Sequence, residues 1–195
     1  GDRLGQFQRR RVGGLEEGVV ERQFAHLRRG GRVLGICGGY QMLGRMISDP
    51  DGHEGAPGAV AGLGLLDIET TLTGDKALRD VEGRLTQDEA PFRGYEMHIG
   101  RTDGPAAQHP FLVFSDGRRD GAVAAGGQIA GCYVHGLFAD DHLRAHWLRG
   151  LGTTASGLSY DADVDATLDA LAAHLERYID IDRIMDLARV PRAIT

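Results

Sequence analysis

Apolar residues recur along this chain with two different periods, and the changes of period mark its elements. Between residues 15 and 29, Val19, Val20, Phe24 and Leu27 fall near one face at helical spacing and Gly30-Gly31 supplies a stop, which predicts a helix. Val33, Leu34 and Ile36 then form a short apolar run bounded by glycines, the pattern of a buried parallel strand. Met42, Leu43, Met46 and Ile47 return to helical spacing, so a helix is predicted directly after that strand. Residues 48–58 are dense in Asp, Gly and Pro and read as a loop. Residues 62–73, 80–86 and 92–100 alternate as strands do. Shorter strands are predicted over 111–114, 122–125 and 128–135, the first two separated by the turn Ser115-Asp116-Gly117. Toward the C-terminus Leu168, Leu171, Ala172, Leu175 and Ile179 line one helical stripe. Asp182 is placed to cap a second helix ended by Pro191.

Composition narrows the classes open to such a chain. Its 195 residues suit one sizeable core, so a single domain over residues 1–195 is expected. The net charge of -6 leaves no basic footprint, and neither nucleic acid nor an acidic membrane surface is expected as a partner. Lys76 is the one lysine among 22 cationic residues, a bias toward arginine that carries no functional weight. No apolar run approaches a membrane span, and the first residues lack a signal-peptide core. The two cysteines do not suggest a disulfide framework. A thiolate nucleophile needs a reducing compartment, so a cytoplasmic setting is expected.

One of those cysteines sits where chemistry is expected. Cys37 falls at the junction of the predicted strand and helix, and Gly35-Ile36-Cys37-Gly38-Gly39 has the G-x-S-x-G frame of a nucleophile elbow with sulfur in place of oxygen. The nucleophile's backbone is strained in such a turn and neighbouring chain passes close by, hence the small flanking residues. Unpaired N–H groups at a helix start favour a thiolate there. Alternation over residues 128–135 puts Tyr133 and His135 on one face and Cys132 and Val134 on the other. His135 therefore ends a strand just before Gly136, at the edge of a sheet where functional groups of open α/β proteins gather. In Tyr95-Glu96-Met97-His98-Ile99 the period of two aligns Glu96 with His98. Metal binding is the weaker reading of the acidic loop 48–58, which lacks the ligands of a calcium loop. It is also the weaker reading of His142 and His146, which no catalytic glutamate accompanies.

Read together, Gly-Ile-Cys-Gly-Gly-Tyr-Gln-Met-Leu-Gly from Gly35, Asp49-Pro50-Asp51-Gly52, Gly62-Leu63-Gly64-Leu65-Leu66, Thr71 with Lys76, Gly94-Tyr95-Glu96-Met97-His98-Ile99-Gly100-Arg101-Thr102 and Tyr133-Val134-His135-Gly136-Leu137-Phe138 resemble the glutamine amidotransferase domain of the cobyric acid synthase family. The resemblance covers about residues 30–150. It implies an α/β, flavodoxin-like class I glutamine amidotransferase with a mostly parallel sheet flanked by helices. It also implies a glutaminase in which Cys37 forms a γ-glutamyl thioester and His135 moves the protons. The N–H of Gly38 is then an oxyanion donor, Gln41 contacts the bound glutamine, Glu96 and His98 border its pocket, and Arg101 holds its α-carboxylate through a bidentate fork.

Three departures from the family pattern stand out. Members carry an early strand and a Pro-Gly loop that supplies a second oxyanion donor, and residues 1–14 show neither, so the chain is expected to begin inside its domain or to lack a segment. Related glutaminases place a glutamate two residues after the histidine, where this chain has Leu137; a Cys-His pair, or Asp140 standing in, is the expectation. The ATP-dependent synthetase part that turns cobyrinic acid a,c-diamide into cobyric acid is also absent, with no phosphate loop in sight. No cofactor is expected in this chain; ATP and Mg belong to the synthetase part that receives the ammonia. A glutaminase subunit amidating a peptidoglycan precursor (lipid II), a cysteine hydrolase of the α/β-hydrolase type and a non-catalytic partner-binding module are the alternatives.

Overall fold

A computed structural model of the chain describes residues 17–154, 157 and 159–188. The poorly patterned stretch 1–14 and Pro191 lie outside them. The chain divides into two compact units, Gly1–Leu143 and Arg144–Thr195.

In the first unit helix α1 (Glu17–Arg28) ends as its glycines foretell. Gly30 takes φ 83°, and the N–H groups of Gly30 and Gly31 donate to the carbonyls of Leu27 and His26, closing the last turn. Strand β1 (Val33–Ile36) leads into α2 (Gly38–Leu43), which is shorter than the periodicity predicts. Met46 and Ile47 belong to strand β2 (Met46–Asp49). The helix stops because Gly44 is extended and pressed against the Ile68 carbonyl, where a Cβ would come within 2.8 Å. Its last carbonyls are taken by N–H groups of 63–66, Leu63 donating to Met42 and both Leu65 and Leu66 to Leu43. Residues 62–66 are therefore a capping loop, where the alternation suggests strand.

Strand β3 (Gly58–Ala61) pairs antiparallel with β2, and β4 (Glu69–Leu85) runs parallel to it. β4 and β5 (Pro91–Asp103) form a long antiparallel pair whose register shifts between Thr71 and Lys76. After a short turn of helix at 105–108 come β6 (Leu112–Phe114), β7 (Arg119–Asp120), β8 (Ala122–Val123), β9 (Ile129–Cys132) and β10 (Val134–His135). They make two sheets. A three-stranded one has the order β1-β9-β8. A seven-stranded one has β10-β5-β4-β2-β3, with β6 on β4 and β7 on β6. The α/β architecture stands, but among the described residues parallel pairing is confined to β1 with β9 and β2 with β4. The long β4–β5 pair is antiparallel because residues 86–90 join the two strands in a short turn, which only antiparallel neighbours accept.

Tyr40, Leu43, Leu63, Leu66, Ile68, Ala122 and Tyr133 form the core between these layers. Helix α3 (Asp141–Gly150) follows a 3-10 turn at Leu137–Ala139. In the second unit, α4 (Tyr160–Tyr178) and α5 (Ile181–Ala188) are exposed at every described position.

Candidate active site

Cys37 is held in a conformation that few side chains tolerate. Its φ of 54° with ψ of -119° lies outside the regions open to ordinary L-residues, a strain of about 1–3 kcal/mol that the surrounding structure must impose. The Cys37 N–H is drawn to the Cys132 carbonyl at the end of β9 (2.9 Å), while its own carbonyl accepts from Gln41 in α2 (3.1 Å). Gly35 lets the helix approach, since a Cβ there would come within 2.7 Å of the Gly39 carbonyl oxygen. The thiol is thus lifted from the strand end, and its Sγ donates to the Met97 carbonyl oxygen in β5 at 3.5 Å. Space is open beside Gly38 and Gly39, where an added Cβ would meet nothing within 4 Å.

β5 gathers most of the other predicted residues. Gln41 reaches it through Nε2, which donates to the Ile99 carbonyl (3.3 Å) and to the Tyr133 hydroxyl (3.4 Å). Glu96 and His98 do share a face, with Glu96 Oε1 and His98 Nε2 3.2 Å apart. His135 joins the same strand as the direct antiparallel partner of Tyr95, two residues from the carbonyl that Cys37 touches. Its ring stacks on Tyr95, centroids 5.2 Å apart and planes 9° apart, and among the described residues its buried Nε2 has no hydrogen-bond partner. Arg101 is not part of this cluster. Its guanidinium is 78% exposed and forks onto Asp103 (2.8 Å), from which it would have to part to hold a ligand.

Around these residues lies a polar scaffold that pattern reasoning did not single out. Glu96 is only 8% exposed; it accepts from Arg118 (2.8 Å) and forms an ion pair with Arg79 (3.2 Å) besides its contact with His98. Burial pushes its carboxyl up, but the hydrogen bonds from Arg118 and His98 and the charge of the two arginines outweigh it and leave it below the usual carboxylate range. Tyr133 packs its ring on His98 at 3.9 Å, and its hydroxyl is hydrogen-bonded to Thr102, which in turn meets Thr70 (2.7 Å). Burial pushes the Tyr133 phenol up, so it stays neutral. Beneath it Asp120 accepts from the Tyr133 N–H at 2.9 Å, and burial raises its carboxyl to about 6. From the sequence Arg118 reads as the tail of the Asp116-Gly117 turn. Only the pairing of β6 with β7 and β4 carries it to Glu96.

Several alternative roles are closed by contacts. Asp140 Oδ1 caps α3 by accepting from the N–H groups of His142 (2.9 Å) and Leu143 (3.0 Å), and its other oxygen faces Arg93, so its carboxylate is engaged away from His135. Leu137 is buried in the core. Cys132 is fully buried, as alternation requires, and burial pushes its thiol far up. In the acidic loop Asp49 accepts from the backbone of His53 and Glu54 and so folds the loop. Among the described residues no His, Cys, Asp and Glu cluster could hold a metal ion, and no helix is long and apolar enough to cross a membrane.

A cysteine on a strained strand-to-helix turn in an α/β domain, with a histidine on the strand that pairs with the one its thiol touches, assigns the chain to the flavodoxin-like class I glutamine amidotransferases. More narrowly, it belongs to the family of the CobB/CobQ-like glutamine amidotransferase domain, whose profile matches residues 15–143. It is similar to a cobyric acid synthase of Bradyrhizobium sp. strain BTAi1, with 99% identity over 88% of this chain and 35% of that protein. The cobyric acid synthase of Bradyrhizobium sp. strain ORS 278 is 77% identical over 86% of this chain and 34% of its own length. That of Methylobacterium nodulans is 60% identical over 84% and 34%. The chain therefore spans about a third of the length of the curated relatives it matches.

Proposed function

We propose that the chain hydrolyses glutamine through Cys37 and passes the ammonia to an ATP-dependent synthetase part that amidates corrinoid carboxylates, converting cobyrinic acid a,c-diamide to cobyric acid. The observation that carries this reading is the left-handed backbone of Cys37, which aims the thiol at β5 beside the strand that bears His135. The thiol proton, now directed at the Met97 carbonyl, passes to His135 Nε2 as Sγ attacks the side-chain amide carbon of glutamine. The tetrahedral oxyanion rests on the N–H of Gly38, which as one of the first groups of α2 has no intrahelical acceptor. His135 then protonates the amide nitrogen, the C–N bond breaks, and ammonia leaves a γ-glutamyl thioester. Water, deprotonated by the same imidazole, cleaves the thioester to glutamate and restores the thiol. ATP and Mg act in the synthetase part, where the carboxylate acceptor is activated. That the relatives are cobyric acid synthases favours the corrinoid acceptor over a peptidoglycan precursor.

A glutamine-like electrophile with mass mapping of the labelled peptide tests the reading. Cys37 should be alkylated well ahead of Cys132, whose thiol is buried and held protonated. The Cys37→Ser variant should lose glutaminase activity. Labelling at Cys132, or a Cys37→Ser variant that still releases ammonia, would overturn it.

A further inference from the structure

An imidazole that must accept a proton at one moment and donate it at the next needs a fixed ring plane. In many hydrolytic sites a carboxylate provides it by holding the second ring nitrogen. Here three acidic side chains of the neighbouring elements are engaged elsewhere. Asp140 caps α3 and faces Arg93, Glu96 holds His98 and two arginines, and Asp120 holds the Tyr133 N–H. The position two residues beyond His135 is the buried Leu137.

What does touch the imidazole is Tyr95. We propose that Tyr95 is the positioning residue of His135, orienting its ring by stacking in place of an acidic partner; the proposal rests on the glutaminase reading. The two residues are direct cross-strand partners, and their planes lie 9° apart. Two glycines make the arrangement possible. At Gly94 a Cβ would come within 2.3 Å of the His135 carbonyl oxygen, so only glycine lets β5 and β10 close to this spacing. Gly136, at φ 75°, turns the chain immediately after the histidine, beside the same tyrosine, whose Cε1 a Cβ built at position 136 would meet at 3.6 Å. The His135 ring is thereby kept from rotating while Nε2 stays buried and unpartnered. An aromatic face accepts no conventional hydrogen bond from the ring N–H. It therefore fixes the plane and leaves both nitrogens free to exchange protons, where a carboxylate would also stabilise the imidazolium. Tyr95 is 40% exposed, so replacing it leaves the core intact.

The test compares Tyr95→Phe, Tyr95→Leu, His135→Ala and the double variant His135→Ala with Tyr95→Leu in the intact protein. Glutaminase kcat and KM and the melting temperature are measured for each. Tyr95→Phe keeps the stacked face and should retain wild-type kcat. Tyr95→Leu should lower kcat about three- to tenfold, the size of an aromatic pair's contribution expressed as a rate, with KM and melting temperature little changed. In the His135→Ala background the leucine should cost nothing further, because no ring remains to orient. A Tyr95→Leu enzyme with wild-type kcat, a defect confined to KM, an equal loss in Tyr95→Phe, or an undiminished loss in the His135→Ala background would each overturn the proposal. If His135→Ala itself keeps wild-type kcat, the glutaminase reading falls with it; if His135→Ala is inactive and Tyr95→Leu is not impaired, only the role of Tyr95 falls.

Discussion

Asp120 shows how a single buried residue sets a measurable property of the domain. Its carboxyl is raised to about 6 chiefly by burial; the N–H of Tyr133 pulls it back and the nearby charge of Glu96 adds to it. An unfolded Asp titrates near 4. Below about pH 4 the group is protonated in both states and contributes nothing. As pH rises from about 4 to 6 the unfolded chain gives up its proton first, so stability falls, by up to roughly 3 kcal/mol above pH 6. Asp120→Asn keeps an oxygen for the Tyr133 N–H and removes the titration. Urea unfolding of both proteins between pH 4 and 7 should show wild type losing ground to the variant as pH rises; a constant difference would contradict this. Glu96 behaves oppositely, since its lowered carboxyl contributes stability above the unfolded range that is lost as pH falls. Comparing the variant with wild type at each pH cancels that contribution. Neither residue's environment was legible from its neighbours in the chain. Alternation aligned Glu96 with His98, but the arginines that hold it charged arrive from β4 and from the segment between β6 and β7.

Among the elements, β5 and β10 matter most, because their pairing brings His135 to the strand that Cys37 touches. Gly94→Ala should push these strands apart, since the clash is with a backbone oxygen that cannot swing away. A loss of about 1–3 kcal/mol is expected, together with a loss of glutaminase activity. Gly55→Ala is the matched control. A Cβ there meets nothing within 4 Å, and stability should stay within about 0.5 kcal/mol. Thermal unfolding and ammonia release check both, and equal behaviour of the two variants would show that the close approach is not what position 94 requires. The elements themselves were largely legible. The stop of α1 and the strand before Cys37 follow from period and punctuation, whereas the strand expected over 128–135 is broken at Tyr133 into β9 and β10, which pair in different sheets. Two other departures share one cause. Met46 and Ile47 continue a helical period into what is strand β2, and residues 62–66 continue an alternation into what is a capping loop. In both places hydrogen bonds from distant residues, not local pattern, decide the backbone.

For the whole molecule, the division of labour in the proposed function makes a prediction of its own. With ATP, Mg and ammonium, this chain by itself should form no corrinoid amide, and adding the separately expressed remaining part of a cobyric acid synthase relative should restore amidation. Amide formation by the chain alone would break the proposal. With glutamine in place of ammonium, amidation by the pair should disappear in Cys37→Ser but persist when ammonium is supplied, because the variant lacks only the source of ammonia.

The sequence by itself determined the family and the turn on which the proposed nucleophile sits. Small residues around Cys37 admit a strained turn, and the apolar pattern buries Cys132 and ends its segment at His135; these are local constraints of backbone sterics and of the two-residue repeat. Tertiary structure alone decided which side chains meet. Arg118 reaches Glu96 across 22 positions, Gln41 reaches Tyr133 across 92, and Tyr95 reaches His135 through strand register. It also turned Asp140 to the start of α3 and paired Arg101 with Asp103, contacts that the resemblance does not imply. Such partners are selected by packing and by the need to satisfy buried polar groups, and both depend on segments far apart in the chain.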